Sequence, residues 1–507
     1  MKAKSILLLF ILFINLTVDA KDYNILDFGA VKGKLSTSAI QKAVEECFIT
    51  GGGRVVIPTG TFIAGSFILK SNVNLYLEQG AELSGSENIH DYTAGDGYHG
   101  LISCEDAINV SISGSGTING NGTKFYKSDQ TQGSSEFDKS VIRQKENYMP
   151  EGTFFTDGPL ERISNPGICL AFFNCTNVSV TGITIKDTPF WATRFNYCDG
   201  LLIDGITIVN NPLVPNNDGI HCSTSRNIRI SNCNVVAGDD AIVVTGFSKD
   251  TEVEGYNSSE QDNHTYGNKT IYAENVTITN CQLKSSSVGI RIGYGQHPIR
   301  RCTFSNIVIY DSQRGIGIFA HDASNIEDLI FTDIIIETRL FNGQWWGHGE
   351  PIHLSCVSRF SGKVAGQIRN IQFNNINAIG EQGILVYGLK ESPMENIQFN
   401  NVQLRMRKGK ETMDYGGNFD LRPAAQPSMK MFEHDIPGIY AQNVNNLSIR
   451  NFNLGWSNDL PDFFTHGIEC KDVSDLLITD FVGGGNPNAP NSQKVKLENS
   501  TYRKSEK

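Results

Sequence analysis

The sequence predicts an all-β chain wound as a right-handed parallel β-helix, with a short helix capping its N-terminal end. Three observations carry that expectation. One short phrase recurs: NVSVTGITI, GLLIDGITI, NIRISNCNV, NVTITNCQL, RCTFSNIVI, DLIFTDIII, NIQFNNINA, NIQFNNVQL, NLSIRNFNL and DLLITDFVG. Its first apolar residue falls at Val178, Leu201, Ile228, Val276, Cys302, Leu329, Ile371, Ile397, Leu447 and Leu476. Six of the nine steps lie between 23 and 29 residues, and the three longer ones fit one coil plus an inserted loop. Within each phrase apolar and polar residues alternate with period two, the mark of short strands, and the helical period is absent. Asn or Gly sits at many of the bends, and Asn both tolerates left-handed backbone and can ladder with an Asn on the next coil. So small a unit cannot bury an apolar face alone, whereas stacked units share one core. A leucine-rich solenoid or a propeller fits worse, since neither L-x-x-L-x-L nor Trp-Asp spacing occurs.

In chain order, residues 1–20 read as a signal peptide. Lys2 and Lys4 precede the apolar run Ile6–Leu16, which is too short to span a bilayer, and Val18-Asp19-Ala20 offers a small-residue cleavage site. The protein is therefore expected to be exported, periplasmic or secreted, with no membrane span. Residues 21–507 form one elongated domain, with 21–90 as the N-terminal cap region. Ser36 to Phe48 is predicted helical, with Ser36 or Thr37 as N-cap. Ala39, Ile40, Ala43, Val44 and Cys47 share one face, and Gly51-Gly52-Gly53 is the stop. A solenoid end needs such a cap. Insertions at 121–166, 342–351 and 405–437 are long enough to wall a groove. A net charge of −11 argues against a nucleic-acid partner, while a local basic cleft on an acidic body still suits an anionic sugar. Eleven Cys without C-x-x-C pairs imply neither zinc nor a disulfide framework, and Cys233, Cys281 and Cys302 fall on the apolar beat of a core.

A second register runs through the same coils: Asp218-Gly-Ile-His221, Asp240-Ala-Ile-Val243, Val288-Gly-Ile-Arg291, Arg314-Gly-Ile-Gly317 and Gln382-Gly-Ile-Leu385. Coils stack about 4.8 Å apart, so equivalent positions form columns. Asp218 and Asp240 then share a column that Arg314 continues, with Asp239 alongside and Asn217 below it. Arg291 stands in the adjacent column with His221 and His353. Strict alternation would turn the carboxylates inward, so a turn or bulge at the Gly must let them face out. Carboxylates that close cannot all ionise freely, and at least one pKa should rise. That suits glycosidic cleavage, which needs one protonated acid and ionised partners to activate water. A Ca²⁺ site is the other functional reading of such an oxygen cluster.

Over almost its whole mature length the chain resembles the family 28 glycoside hydrolases, the polygalacturonase-like enzymes that degrade pectin. The opening ILDFGAVKG…AIQKAVEEC…GGGRVVIPTGTFIAGSFILKSNVNLYLEQGAELSGS looks like the entry segment of the bacterial branch, and PFWATRFNYCDGLLIDGITI like its pre-catalytic coil. NNDGIHC is similar to the Asn-Thr-Asp-Gly motif and AGDDAIVV to the Gly-Asp-Asp motif, their aspartates Asp218 and Asp239 lying 21 residues apart, one coil. The resemblance implies that Asp239 is the general acid and that Asp218 and Asp240 activate the attacking water, with inversion and without metal or cofactor. Two departures stand out. The family's Gly-His-Gly falls at Ser287-Val288-Gly289, and its Arg-Ile-Lys at Gly317-Ile318-Phe319, so the basic residues that would bind a galacturonate carboxylate are missing. Arg291 and Arg314 are the expected replacements. The lean is towards a branched or mixed pectin such as rhamnogalacturonan, an anionic plant-type polysaccharide, taken by a monomer.

In the 342–351 run, Trp345 and Trp346 are expected to stack on sugar rings, and His348 or Glu350 to bond hydroxyls, with His221 as a further substrate contact. His297 and His321 are weaker candidates. Walls at the groove ends would favour exo-action. Two alternatives stay open. One is a Ca²⁺-dependent β-helix lyase, disfavoured because no Lys/Arg cluster is expected beside the carboxylates. The other is a non-catalytic glycan-binding solenoid, since fold does not fix function.

Overall fold

The repeated phrase folds as its alternation requires. The computed structural model describes residues 21–93, 100–132, 143–144, 154–247, 265–266, 269–270 and 272–503. Residues 1–20, where a signal peptide is expected, and much of the 121–166 insertion lie outside the described residues. The strands of successive coils pair in parallel, in register, along one continuous winding, and the crossovers are right-handed, as parallel connections are. The predicted column is the observed one: Val178 pairs with Leu201, Leu201 with Ile228, then Val276, Cys302, Leu329, Ile371, Ile397 and Leu447. Early coils use separate short strands, such as Thr193–Asn196, Asp199–Asp204 and Thr207–Val209. Later coils join two of these into one bent strand, as in Ala273–Ser285, Ile299–Ser312 and Ile326–Thr338.

The bends are where Asn and Asp earn their place. Asn177, Asn227, Asn275, Asp328, Asn370 and Asn396 all have φ between 55° and 59°, a left-handed backbone that Asn and Asp accept more readily than other side chains. Their side chains ladder from coil to coil. The Nδ2 of Asn177 donates to Asn109 at 2.7 Å, that of Asn275 to Asn227 at 3.0 Å and that of Asn396 to Asn370 at 2.9 Å. A second ladder runs through Asn375, Asn401 and Asn451. Inside the winding Phe304, Phe331, Phe373 and Phe399 stack with centroids 4.5, 5.1 and 5.0 Å apart. Each is fully buried, a contribution of about 1.5–3 kcal/mol relative to exposure. The apolar core is continuous from Tyr23 to Phe481, and all eleven cysteines are buried thiols.

The N-terminal helix spans Thr37–Ile49 and lays Ala39, Ile40, Ala43, Val44 and Cys47 against the first coils. Ser36 is its N-cap residue but makes no side-chain cap bond; its hydroxyl donates back to the Lys34 carbonyl at 3.0 Å. The Thr37 hydroxyl instead accepts the Gly65 amide at 2.8 Å, which ties the helix to the coil beneath. Gly51, Gly52 and Gly53, with φ of 104°, 113° and 149°, end it as expected. No helix among the described residues is long and apolar enough to cross a membrane.

Candidate active site

The second register builds one face of the solenoid. Arg194, His221, Val243, Arg291, Gly317, His353, Leu385, Tyr440, Glu469 and Lys496 pair in sequence along it. Asp218 and Asp240 stand on the turns that lead into the strands Ile220–Ser223 and Ile242–Gly246. The chain bends at Gly219 and at Ala241, directly after each aspartate. The Gly219 amide donates to the Asp240 carbonyl at 2.9 Å, and a Cβ at Gly219 would meet the Ala241 carbonyl at 2.4 Å. Asn217 braces both turns from beneath: its Oδ1 accepts the Gly238 amide at 2.5 Å and its Nδ2 donates to the Asn211 carbonyl at 2.9 Å.

Asp218, Asp239 and Asp240 converge on one pocket, open to solvent, with an empty volume of about 560 Å³. Asp239 is partly buried there, and its Oδ2 accepts from the amide and the Nδ2 of Asn216 at 3.2 and 3.3 Å. Burial at the pocket floor and the neighbouring Asp240 push its pKa up to about 7, against the pull of Arg291. Asp240 Oδ1 accepts the Val288 amide at 3.1 Å, and its Oδ2 accepts Arg291 Nε. Arg291 Nη2 lies 3.8 Å from Asp218 Oδ2. His221 Nδ1 is 3.2 Å from the same oxygen. Burial, Arg291 and Arg194 hold the His221 pKa well below its ordinary value, so the ring is neutral, and the carboxylate selects the tautomer with hydrogen on Nδ1. The arrangement separates two roles: one carboxyl that keeps its proton near neutrality, and two that face a shared cation.

Trp346, Arg291 and Arg314 line the pocket, as expected of substrate contacts, but both arginines are already engaged. Arg291 is held by Asp240. Arg314 is buried, with Nε on Glu350 Oε2 at 3.0 Å and Nη2 on the Asp420 carbonyl at 2.5 Å. Three expected contacts lie elsewhere. His221 is buried beneath the Trp191 ring, with centroids 4.1 Å apart. Trp345 is buried in the wall because its indole N–H donates to the Asp157 carbonyl at 2.9 Å. His348 is buried behind the pocket, its Nδ1 3.2 Å from the Asn418 carbonyl. Glu350 belongs to the same buried network and has no exposed surface. Among the described residues, no three His, Cys, Asp or Glu side chains are grouped to hold a metal ion.

Sequence reasoning missed Trp191, Tyr294 and Phe319, which also line the pocket. The signal for Trp191 was present. The Ala192 amide donates to the Asp218 carbonyl, so Trp191 sits one coil before Asp218 in the aspartate column. Phe319 explains the departure at 317: a Cβ on Gly317 would stand 2.5 Å from the Phe319 ring. That ring stacks on Tyr294 with centroids 5.7 Å apart. An aromatic surface therefore stands at 317–319, where the basic pair was expected.

The family model for Glycosyl hydrolases family 28 matches residues 158–325, the stretch that holds all three aspartates. Among curated relatives, a probable polygalacturonase of Vitis vinifera is 27% identical over 44% of this chain and 44% of its own. Polygalacturonase-2 of Solanum lycopersicum is 23% identical over 60% of this chain and 61% of its own. The chain thus spans less than two thirds of the length of either. Among solved structures, a family 28 exopolygalacturonase of Yersinia enterocolitica superposes with a TM-score of 0.60 at 18% identity. That match covers 95% of this chain and 78% of the other, a likeness of fold.

Proposed function

We propose, from the match of residues 158–325 to the family model for glycoside hydrolase family 28, that this chain hydrolyses α-glycosidic bonds of a pectic polysaccharide or oligosaccharide with inversion. The observation that carries the reading is the division of labour among three carboxyls in one pocket. Asp239, with its pKa near 7, is protonated over the mildly acidic range and gives its proton to the leaving glycosidic oxygen. Asp218 and Asp240 accept the proton of a water molecule that attacks the anomeric carbon from the opposite face. Water supplies the new hydroxyl, the leaving oxygen departs as an alcohol, and solvent exchange returns the proton to Asp239.

Arg291 acts in this scheme as a positioning residue: its Nε bonds Asp240 and its Nη2 lies 3.8 Å from Asp218 Oδ2, which orients both carboxyls. With Arg314 committed to Glu350 and Asp420, and with Tyr294, Phe319 and the half-buried Trp191 and Trp346 around the pocket, a ring of low charge suits part of the site better than a run of galacturonates. A mixed backbone such as rhamnogalacturonan fits that chemistry. The face is covered on both sides of the pocket: Arg194 and His221 are buried on one, Glu350, His353 and Gln382 on the other. That favours attack on chain ends. The reading includes export through residues 1–20 and a monomer whose residues 21–507 are one domain.

The test is Asp239→Asn on pectic oligosaccharides, with products sized and their anomeric configuration followed by proton NMR. Turnover should fall about 10²–10⁴-fold while the fold is kept, and the wild-type product should appear first as the inverted anomer. Near-normal turnover in the variant would remove Asp239 from the chemistry.

A further inference from the structure

A second polar pocket lies on the same face, beyond the insertion wall. From Arg291 the column passes Gly317, His353, Leu385 and Tyr440 to Glu469, five coils or about 24 Å at the usual spacing. There Thr465, His466, Glu469 and Lys496 meet Asn418 and His434 around an empty volume of about 800 Å³, open to solvent. Glu469 is 5% exposed. Burial raises its pKa, but His434 and Lys496 more than offset this and bring it to about 2, so the carboxylate is charged at any working pH. Its Oε1 takes Lys496 Nζ at 2.8 Å and faces His434 Nε2 at 3.4 Å. Its Oε2 has no hydrogen-bond partner, and His466 Nε2 stands 3.9 Å away. The Thr465 hydroxyl, in a residue 8% exposed, is likewise unpartnered.

Two buried polar groups left unpaired cost about 1–3 kcal/mol each, and the residues that carry them, Thr465 and Glu469, line the same cavity. The cations of this pocket are spent: Lys496 on Glu469, and Arg143 on Asp435 at 2.7 Å and the Gly417 carbonyl at 2.8 Å. An anionic sugar would therefore meet Glu433, Asp435 and Glu469 with no uncommitted positive partner among these residues. What the free acceptor and the hydroxyl call for is a neutral ligand rich in O–H donors.

We propose that this pocket is a second glycan-binding site that takes a neutral oligosaccharide through Glu469 and Thr465. It lies apart from the carboxyl triad, and its occupancy is read without turnover, so the outcome is independent of the proposed hydrolysis. The test titrates the whole protein with a β-1,4-linked galactose tetrasaccharide and an α-1,5-linked arabinose tetrasaccharide, followed by calorimetry and saturation-transfer NMR. A galacturonate trisaccharide serves as the anionic comparison. At least one neutral tetrasaccharide should bind. Glu469→Gln and the near-isosteric Thr465→Val should each weaken it about tenfold, the loss of one hydrogen bond to a buried polar group. Asp239→Asn should leave it unchanged. Three results would overturn the assignment: no binding of either neutral probe, binding indifferent to both substitutions, or binding lost in Asp239→Asn.

Discussion

Arg291 is the residue on which the electrostatics of the triad turn. Burial works against its charge, yet Asp240, Tyr294, Asp218 and Asp239 together hold its pKa above the ordinary value, and its guanidinium lies 4.8 Å from the Tyr294 ring centroid. Arg291→Met removes the guanidinium that holds Asp240 in place and should lower kcat about 10²-fold, and Arg291→Lys should recover part of the loss. An unchanged kcat would reduce Arg291 to a packing role. The alkaline limb of the wild-type kcat/KM profile should fall near pH 7, where Asp239 loses its proton. The same raised pKa has a consequence for stability. It favours the fold fully below the unfolded pKa of about 4 and is lost as pH rises through 7. Asp239→Asn should accordingly raise Tm relative to wild type by about 1–3 °C at pH 8, and by less at pH 5, in parallel thermal melts. The column of Arg291 was legible from the repeat. Its direction was not, because register fixes which positions neighbour one another and not whether a long side chain reaches out to substrate or across to a carboxylate.

At the scale of elements, three insertions distant in sequence knit into one wall. Arg339 pairs with Asp157 at 3.1 Å, Asn342 Nδ2 donates to the Thr156 hydroxyl at 3.1 Å, and Gln344 Nε2 donates to the Gln132 carbonyl at 2.9 Å. The Gly347 amide donates to Asp420 at 2.7 Å, and Arg422 joins Asp420 to the Trp345 carbonyl. Arg314 and Glu350 are the buried link between wall and coil. Burial pushes the pKa of Glu350 up, and Arg314, His353 and His348 overcome this to hold it far below the usual carboxylate range. Glu350→Gln leaves Arg314 short of its partner, a loss of about 3–5 kcal/mol for a broken buried pair. It should lower Tm and raise KM together, since Trp346 loses the frame that holds it at the pocket; an unchanged KM would detach the wall from binding. The positions of these insertions were legible from the long steps in the repeat. Which of two adjacent tryptophans faces the pocket was not. A loop has no period to assign faces, and Trp345 is turned inward by the Asp157 carbonyl, a partner 188 residues away.

For the molecule as a whole, the coil repeat sets a straight face and the insertions decide how much of it substrate reaches. A bare solenoid face would run past the aspartates as an open groove and admit the middle of a polymer. Here Glu350, Gln382 and His353, which continue that face, are sealed under the Asn418–Arg422 segment; Gln382 Nε2 donates to the Asn418 carbonyl at 2.6 Å. On the other side the half-buried Trp191 stands over His221. On the proposed function, a pocket flanked on both sides in this way would take a chain terminus more easily than an internal segment. On a pectic polymer, wild-type protein should release small saccharides while solution viscosity stays nearly constant until a large share of the bonds is cut. Viscosity and reducing-end release measured on one reaction separate the cases. A collapse of viscosity after the first few percent of cleavage would mean that the wall yields to the polymer and that the ends of the pocket are no barrier.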